Sequence, residues 1–219
     1  MNSPLLQLLV LAAIAIFLIL RLKNVLGTRG GFEGPPASKP TLSRKPSRDF
    51  EVIEGGPDLD ITDHVEDGSP AAIALAEMKR AEPSFNVTEF LAGARSAYEM
   101  IVMGYERGNL DEIKPFLAEG IYETFVDGVA AREDQGLTIE ADFIGVRELK
   151  LTDATFDHAT GEAELTIRFV GELTSVVRNA EGTVVEGSKN EVKRQKDVWS
   201  FSRKMGSDDP NWLLVSTDG

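Results

Sequence analysis

Side chains able to do chemistry are few: two histidines (His64 and His158), three tyrosines (Tyr98, Tyr105 and Tyr122), and no cysteine. With no thiol and two isolated imidazoles, a transition-metal centre would have to rest on carboxylates. His64 stands among Asp60, Asp63 and Glu66, a grouping able to recruit a weak divalent ion, although an acidic run of this kind is ordinarily a solvated one. His158 falls in His158-Ala159-Thr160-Gly161, a turn between strands where a surface role is usual. There is no phosphate loop, dinucleotide fingerprint, HExxH pair or nucleophile elbow. Tyr98 and Tyr105 are seven residues apart and share one helical face. There they either line a pocket with their hydroxyls or close a core with the hydroxyls at its rim. Asp142 beside Phe143 has the same two readings. No catalytic residue, metal ligand or cofactor is assigned on these patterns, and the chain reads as a binding protein, not an enzyme.

The elements that position these residues follow from capping signals and periodicity. Ser69-Pro70 supplies an N-cap and a favourable first helical residue, predicting a helix over 71–81 that Pro83 stops. Asn86 with Glu89 predicts a second start, and Phe90, Ala94, Ala97, Tyr98, Ile101, Val102 and Tyr105 hold one helical face until Gly108. Asn109 with Glu112 repeats the capping arrangement for a short helix limited by Pro115. A further amphipathic segment runs over 119–132, with Ile121, Phe125 and Val129 in line. After Gly136 the period changes. Strand-like stretches cover 143–151 and 155–157, and 163–169 alternates cleanly. Residues 179–187 read as a loose turn, 191–203 as a strand ending in Val198-Trp199-Ser200-Phe201, and 212–215 as a last strand after the Asp208-Asp209-Pro210 turn.

Helices followed by antiparallel strands give an α+β order. A strongly curved sheet wrapped around a long helix would form a cone with an apolar pocket, lined by Tyr98, Ile101, Val102, Tyr105, Phe143, Phe169, Trp199 and Phe201. Around this pattern the chain resembles the Tim44-like domain family. The resemblance rests on Phe90-Leu91 through Ile101-Val102, Gly108-Asn109-Leu110, Lys114-Pro115-Phe116-Leu117 and Ile121-Tyr122-Glu123-Thr124-Phe125. It closes on Asp197-Val198-Trp199-Ser200-Phe201-Ser202-Arg203 and Asn211-Trp212-Leu213-Leu214, covering roughly 69–217. The Leu26-Gly27-Thr28-Arg29-Gly30-Gly31 step resembles bacterial members. The resemblance implies a nuclear transport factor two-like cone of helices on a curved antiparallel sheet, with a hydrophobic cavity. The mitochondrial relative attaches a matrix chaperone to the import channel; this chain lacks the long chaperone-binding N-terminal region.

Ahead of that domain, Pro4 to Leu20 is apolar except for Gln7. Seventeen helical residues rise about 26 Å against a bilayer core of about 30 Å, and Leu22, Val25 and Leu26 extend the span if Arg21 and Lys23 snorkel. A cleaved signal peptide would need basic residues before the run and a small-residue cleavage site after it, and neither is present. Residues 1–26 therefore read as a single transmembrane anchor. Arg21, Lys23 and Arg29 flank its far end, so the N-terminus is expected outside and the domain in the cytoplasm, at an inner membrane.

The net charge of −13 is unevenly spread. Residues 21–48 hold seven basic residues and one acid, residues 49–67 hold eight acids and no Lys or Arg, and the remainder carries a net −11. An acidic body is a poor nucleic-acid binder. The basic flank can touch lipid headgroups at about 1 kcal/mol per residue near the surface. Residues 27–68 read as a flexible, disordered linker, broken by Gly34-Pro35-Pro36 and Gly55-Gly56-Pro57, with Leu59 and Ile61 among a few apolar exceptions. The chain is thus expected to be a membrane-tethered adaptor or scaffold. Its expected partners are membrane lipid, an inner-membrane or cytoplasmic protein, and an acyl chain or hydrophobic peptide in the pocket. The alternative is a small-ligand-binding or isomerase-type enzyme using the cone cavity, which requires a polar dyad facing inward.

Overall fold

The computed structural model describes residues 57–218. The anchor at 1–26, the flanking Arg21, Lys23 and Arg29, and most of the 27–68 linker lie outside the described residues. Among the described residues no helix is long and apolar enough to cross a membrane.

Among the described residues, five helices precede four strands. They are α1 Leu59–Thr62, α2 Pro70–Ala81, α3 Val87–Arg107, α4 Leu110–Ile113 (with a 3-10 turn, Lys114–Phe116) and α5 Glu119–Asp134. The strands β1 Thr138–Asp157, β2 Glu162–Arg178, β3 Val184–Lys204 and β4 Leu213–Asp218 form one antiparallel sheet in the order β1-β2-β3-β4. Local chemistry accounts for most helix ends. Ser69 Oγ accepts the Ala72 N–H at 3.1 Å, and Asn86 Oδ1 accepts the Glu89 N–H at 2.8 Å. Gly108 closes α3 in the left-handed region at φ 74°. Asn109 does not cap α4 with its side chain. Its backbone N–H reaches back to Gly104 O at 2.8 Å, so the residue is spent on ending α3.

The sheet departs further from the sequence pattern. The two stretches expected at 143–151 and 155–157 are one 20-residue strand whose pairing slips at Phe143/Gly145, Val146/Glu148 and Leu151/Asp153. Each bulge adds a residue and bends the strand, which hides the period-two alternation. β2 runs on from Phe169 to Arg178, and β3 starts at Val184, so the loose turn narrows to a hairpin bend around Asn179–Thr183.

One face of the sheet carries the core. Leu75 and Met78 of α2 and Val87, Phe90, Leu91, Ala94, Tyr98 and Ile101 of α3 pack against Ala163, Leu165, Ile167, Phe169, Trp199, Phe201 and Leu214. Phe90 sits edge-on to Trp212 at 4.7 Å and to Phe201 at 6.3 Å. The α2 C-cap, Glu82, ties the helix to the end of β3. It pairs with the buried Arg203 at 2.6 Å and accepts the Gly206 N–H at 2.9 Å, and the Arg203 hydrogen bond holds its carboxyl below the usual range.

The ordered domain begins before Ser69. Ile61 of α1 is buried in the core, and Asp60 accepts the Val87 and Thr88 N–H groups at 2.8 and 3.0 Å. Asp60 thereby serves the start of α3 from outside that helix, where free N–H groups and the helix dipole favour a carboxylate. Lys79 of α2 reaches both Asp58 at 2.7 Å and Asp60 at 2.8 Å. The last dozen residues of the expected linker are therefore folded, because their acids answer a helix terminus and a lysine that lie far along the chain. Burial alone would raise the Asp60 carboxyl, but Lys79 and the N–H groups of Thr88 and Val87 outweigh it and hold it well below the usual range.

Asp60→Ala is expected to cost about 1–2 kcal/mol near neutral pH, read by urea unfolding. A carboxyl depressed in the native state stabilises fully above its unfolded value, about 3.9, and progressively less as pH falls below it. The gap between wild type and variant should therefore narrow steadily as pH falls below about 4 and still be narrowing at pH 2; a gap unchanged across that range would show that Asp60 does not act as an ionised cap.

Candidate functional site

A cleft of about 430 Å³ opens beside the core, bounded by α3, α5, β3 and the end of β4. Ile101, Val102 and Tyr105 come from α3, Thr124 and Phe125 from α5, Gln195, Asp197 and Trp199 from β3, and Thr217 from β4. Glu106 and Asp218 complete the lining, which contains no Lys or Arg. Two of its walls follow directly from periodicity. Residues 101, 102 and 105 share one face of α3, and 195, 197 and 199 project to one side of β3.

Of the eight expected pocket residues, Ile101, Val102, Tyr105 and Trp199 stand in this lining. Tyr98, Phe169 and Phe201 are buried behind it, and Phe143 packs on Tyr98 with ring centres 6.1 Å apart. Tyr98 is fully buried, its ring stacked on Phe169 at 4.4 Å and 10° and tilted against Trp199 at 4.7 Å. Its hydroxyl donates to Asp197 Oδ2, and Gln195 Nε2 donates to Asp197 Oδ1 at 3.0 Å. Burial, and then the adjoining Asp197 carboxylate, push the Tyr98 phenol well above its ordinary value, so it stays a neutral donor. Asp197 itself is 6% exposed.

A glycine makes this pair possible. A Cβ on Gly171 of β2 would lie 2.6 Å from the Tyr98 hydroxyl and 2.9 Å from its ring. Gly171 is thus the opening through which a large side chain on α3 reaches β3. Tyr105 uses the same device on the other wall, where a Cβ on Gly128 of α5 would lie 2.6 Å from its hydroxyl. The Tyr105 ring meets Phe125 at 4.8 Å and lies 4.5 Å beneath the Arg132 guanidinium, which also donates to the Tyr105 carbonyl. Glu106 sits beside them. Burial raises its carboxyl above the usual range, Arg132 and Lys193 pull it down, and Glu186 adds to the rise.

The remaining sequence candidates are drawn elsewhere. Tyr122 is half-buried with Lys114 Nζ 4.6 Å above its ring, and Asp142 lines a separate groove with Met103, Arg107 and Phe143. His64 bonds Thr88 Oγ1 at 3.0 Å while Asp60 is committed to α3 and Lys79; His158 pairs with Glu77 at 3.0 Å. Sequence reasoning passed over Asp197 and Gln195. The available signal was an acid at an inward position of an alternating strand, two residues before Trp199.

The family model described as Tim44-like domain matches residues 71–219. The human mitochondrial import inner membrane translocase subunit TIM44 is 26% identical over 144 residues, which cover 64% of this chain and 31% of that protein. The chain thus spans about a third of the length of that curated relative. Among solved structures, the intermembrane space region of the chloroplast protein ARC6 aligns over 57% of this chain and 94% of its own, with a TM-score of 0.36 and 12% identity.

Tyr98→Phe is expected to lower stability by about 1–3 kcal/mol, since it leaves a buried carboxylate short of a donor. Gly171→Ala should cost about as much through overpacking against the same hydroxyl. Unfolding of both single variants and the double variant checks the geometry: if Gly171 matters only through Tyr98, the double falls short of the sum. Glu106→Gln should raise stability at neutral pH, because the native state disfavours the ionised form. That gain should fade as pH falls through the raised native value, below which the native carboxyl is already protonated.

Proposed function

The chain belongs to the Tim44-like domain family, and on that footing we propose that it is a membrane-tethered, non-enzymatic adaptor acting in protein translocation or membrane-protein assembly. The observation that carries this reading is the order of parts: an apolar run at Pro4–Leu20 with Arg21, Lys23 and Arg29 behind it, then the family domain over 71–219. The human relative is a subunit of a translocase at the mitochondrial inner membrane. A domain held on an anchor is concentrated at the membrane surface, so modest contacts with a membrane-bound partner suffice for occupancy. The basic flank adds lipid attraction close to the anchor, whereas the acidic domain is repelled from anionic lipid and from nucleic acid.

The Tyr98–Asp197 pair favours a second reading, a small-ligand site in the cleft, because it supplies the inward polar dyad that such a site needs. The adaptor reading is preferred on chemistry. The Tyr98 hydroxyl is fully buried, and both Asp197 oxygens already accept hydrogen bonds from the protein.

A reporter fused after Gly219 is expected to be active in the cytoplasm and silent outside it. Replacing Arg21, Lys23 and Arg29 together by Glu should scramble that orientation while leaving the domain folded. In-cell cross-linking from the domain surface should recover a defined inner-membrane or cytoplasmic protein. Export of the reporter, or recovery of no specific partner, would overturn the proposal.

A further inference from the structure

β3 is far longer than the strand that covers it. β4 pairs only with Val198–Ser202, so from Val184 to Asp197 the outer edge of β3 meets no strand among the described residues. Natural folds blunt such edges, and part of this one is blunted. Between Lys193 and Ser188 the pairing with β2 slips by several residues, and Gly187 takes the left-handed conformation at φ 75°. The regular part that remains is Lys193–Asp197, where each residue has an ordered partner on β2, from Leu173 to Phe169. This stretch lies directly in line with the end of β4, and its inward side chains Gln195 and Asp197 stand in the cleft wall.

We propose that the Lys193–Asp197 edge takes up an extended segment of a partner polypeptide, added as a strand in line with β4, with a Lys or Arg side chain turned into the cleft. This rests on the adaptor reading in taking the occupant to be a polypeptide. Unpaired N–H and C=O groups of β3 would supply main-chain hydrogen bonds, the affinity term in strand addition, and the cleft would supply the side-chain pocket. Alternation sends every second guest residue to the side of Gln195 and Asp197. There it meets the apolar walls of Ile101, Val102 and Phe125 and the carboxylates Glu106 and Asp218; the lining itself holds no Lys or Arg, although Arg132 and Lys193 act on Glu106 from beside it. Asp197 is buried with both oxygens already bonded within the protein, so Glu106 and Asp218 are the carboxylates that a guest cation reaches. The Glu106 carboxylate, disfavoured by its own burial and only partly relieved by Arg132 and Lys193, gains from an incoming cation. The slip and the left-handed Gly187 end the platform on one side and β4 ends it on the other, so the site fits a short segment.

The test uses the full chain in detergent micelles and a fluorescent Thr-Val-Lys-Val-Thr-Val-Thr peptide. Three comparisons accompany it: the same peptide with Glu for Lys, the Lys peptide N-methylated at alternate residues, and the Glu106→Gln/Asp218→Asn variant. The Lys peptide should bind and slow amide exchange at Lys193–Asp197. Binding should weaken about tenfold or more with the Glu peptide and with the variant, and N-methylation along one edge should abolish it. No binding at about 1 mM, equal binding of the Lys and Glu peptides, tolerance of N-methylation, or protection away from β3 would each overturn the inference. If the peptide fails while in-cell cross-linking still captures a membrane partner, the strand-addition site is wrong and the adaptor reading stands.

Discussion

A phenol buried without exposure inside an apolar sheet has to find an acceptor, and that constraint organises this domain. Tyr98 finds it in Asp197, 99 residues along the chain. The bond fixes α3 against β3, and it requires a glycine at 171 on the strand between them, because any side chain there would occupy the space of the phenol. Stacking on Phe169 and contact with Trp199 then follow from the same placement. An unsatisfied hydroxyl or carboxylate in this position would cost more than the net value of the bond, so its chief effect is to penalise other registers.

Charge is managed by the same long-range logic. The described helical half, residues 57–137, holds 17 acids and six bases, and the sheet half, 138–218, holds 15 acids and ten bases. The surplus acids of the helical half are put to use at particular points. Asp60 caps α3 from a neighbouring segment and Glu82 anchors α2 to Arg203. On the exposed side of the sheet, Glu148 with Arg168 and Glu172 with Arg194 form cross-strand pairs. Such exposed pairs contribute little stability, but they discourage alternative strand registers. The cleft lining carries the acids Glu106, Asp197 and Asp218 and no Lys or Arg.

The helices were legible because their signals are local. Ser69-Pro70, Asn86 with Glu89, and Gly108 each act within one turn, and the apolar face of α3 repeats over several turns. Asn109 misled because one residue can serve two neighbouring helices, and the C-terminal closure of α3 took precedence. The strands were legible only where alternation survives, as over Ala163–Phe169. Bulges in β1 and burial of successive residues such as Val170 and Gly171 erased it elsewhere. Of the pocket list, Ile101, Val102 and Tyr105 stand in the cleft lining on the face that α3 periodicity picks out, and Trp199 joins them from β3. Tyr98, Phe169 and Phe201 do not stand there, because the pattern that predicts inward-facing residues cannot separate those that line a space from those that fill it.

The sequence by itself determined the α+β order, the boundaries of α2 and α3, the face that α3 buries and the charge asymmetry along the chain. These depend on neighbours within one turn or on counting. Tertiary structure alone decided that Asp60 belongs to the fold, that Gly171 admits Tyr98, that Asp197 is buried and bonded, and that, among the described residues, β3 outruns β4 beside the cleft. Each of these is a contact between residues tens of positions apart. Their geometry is set by strand register and bulges, which sum over the whole sheet and are written in no single stretch of it.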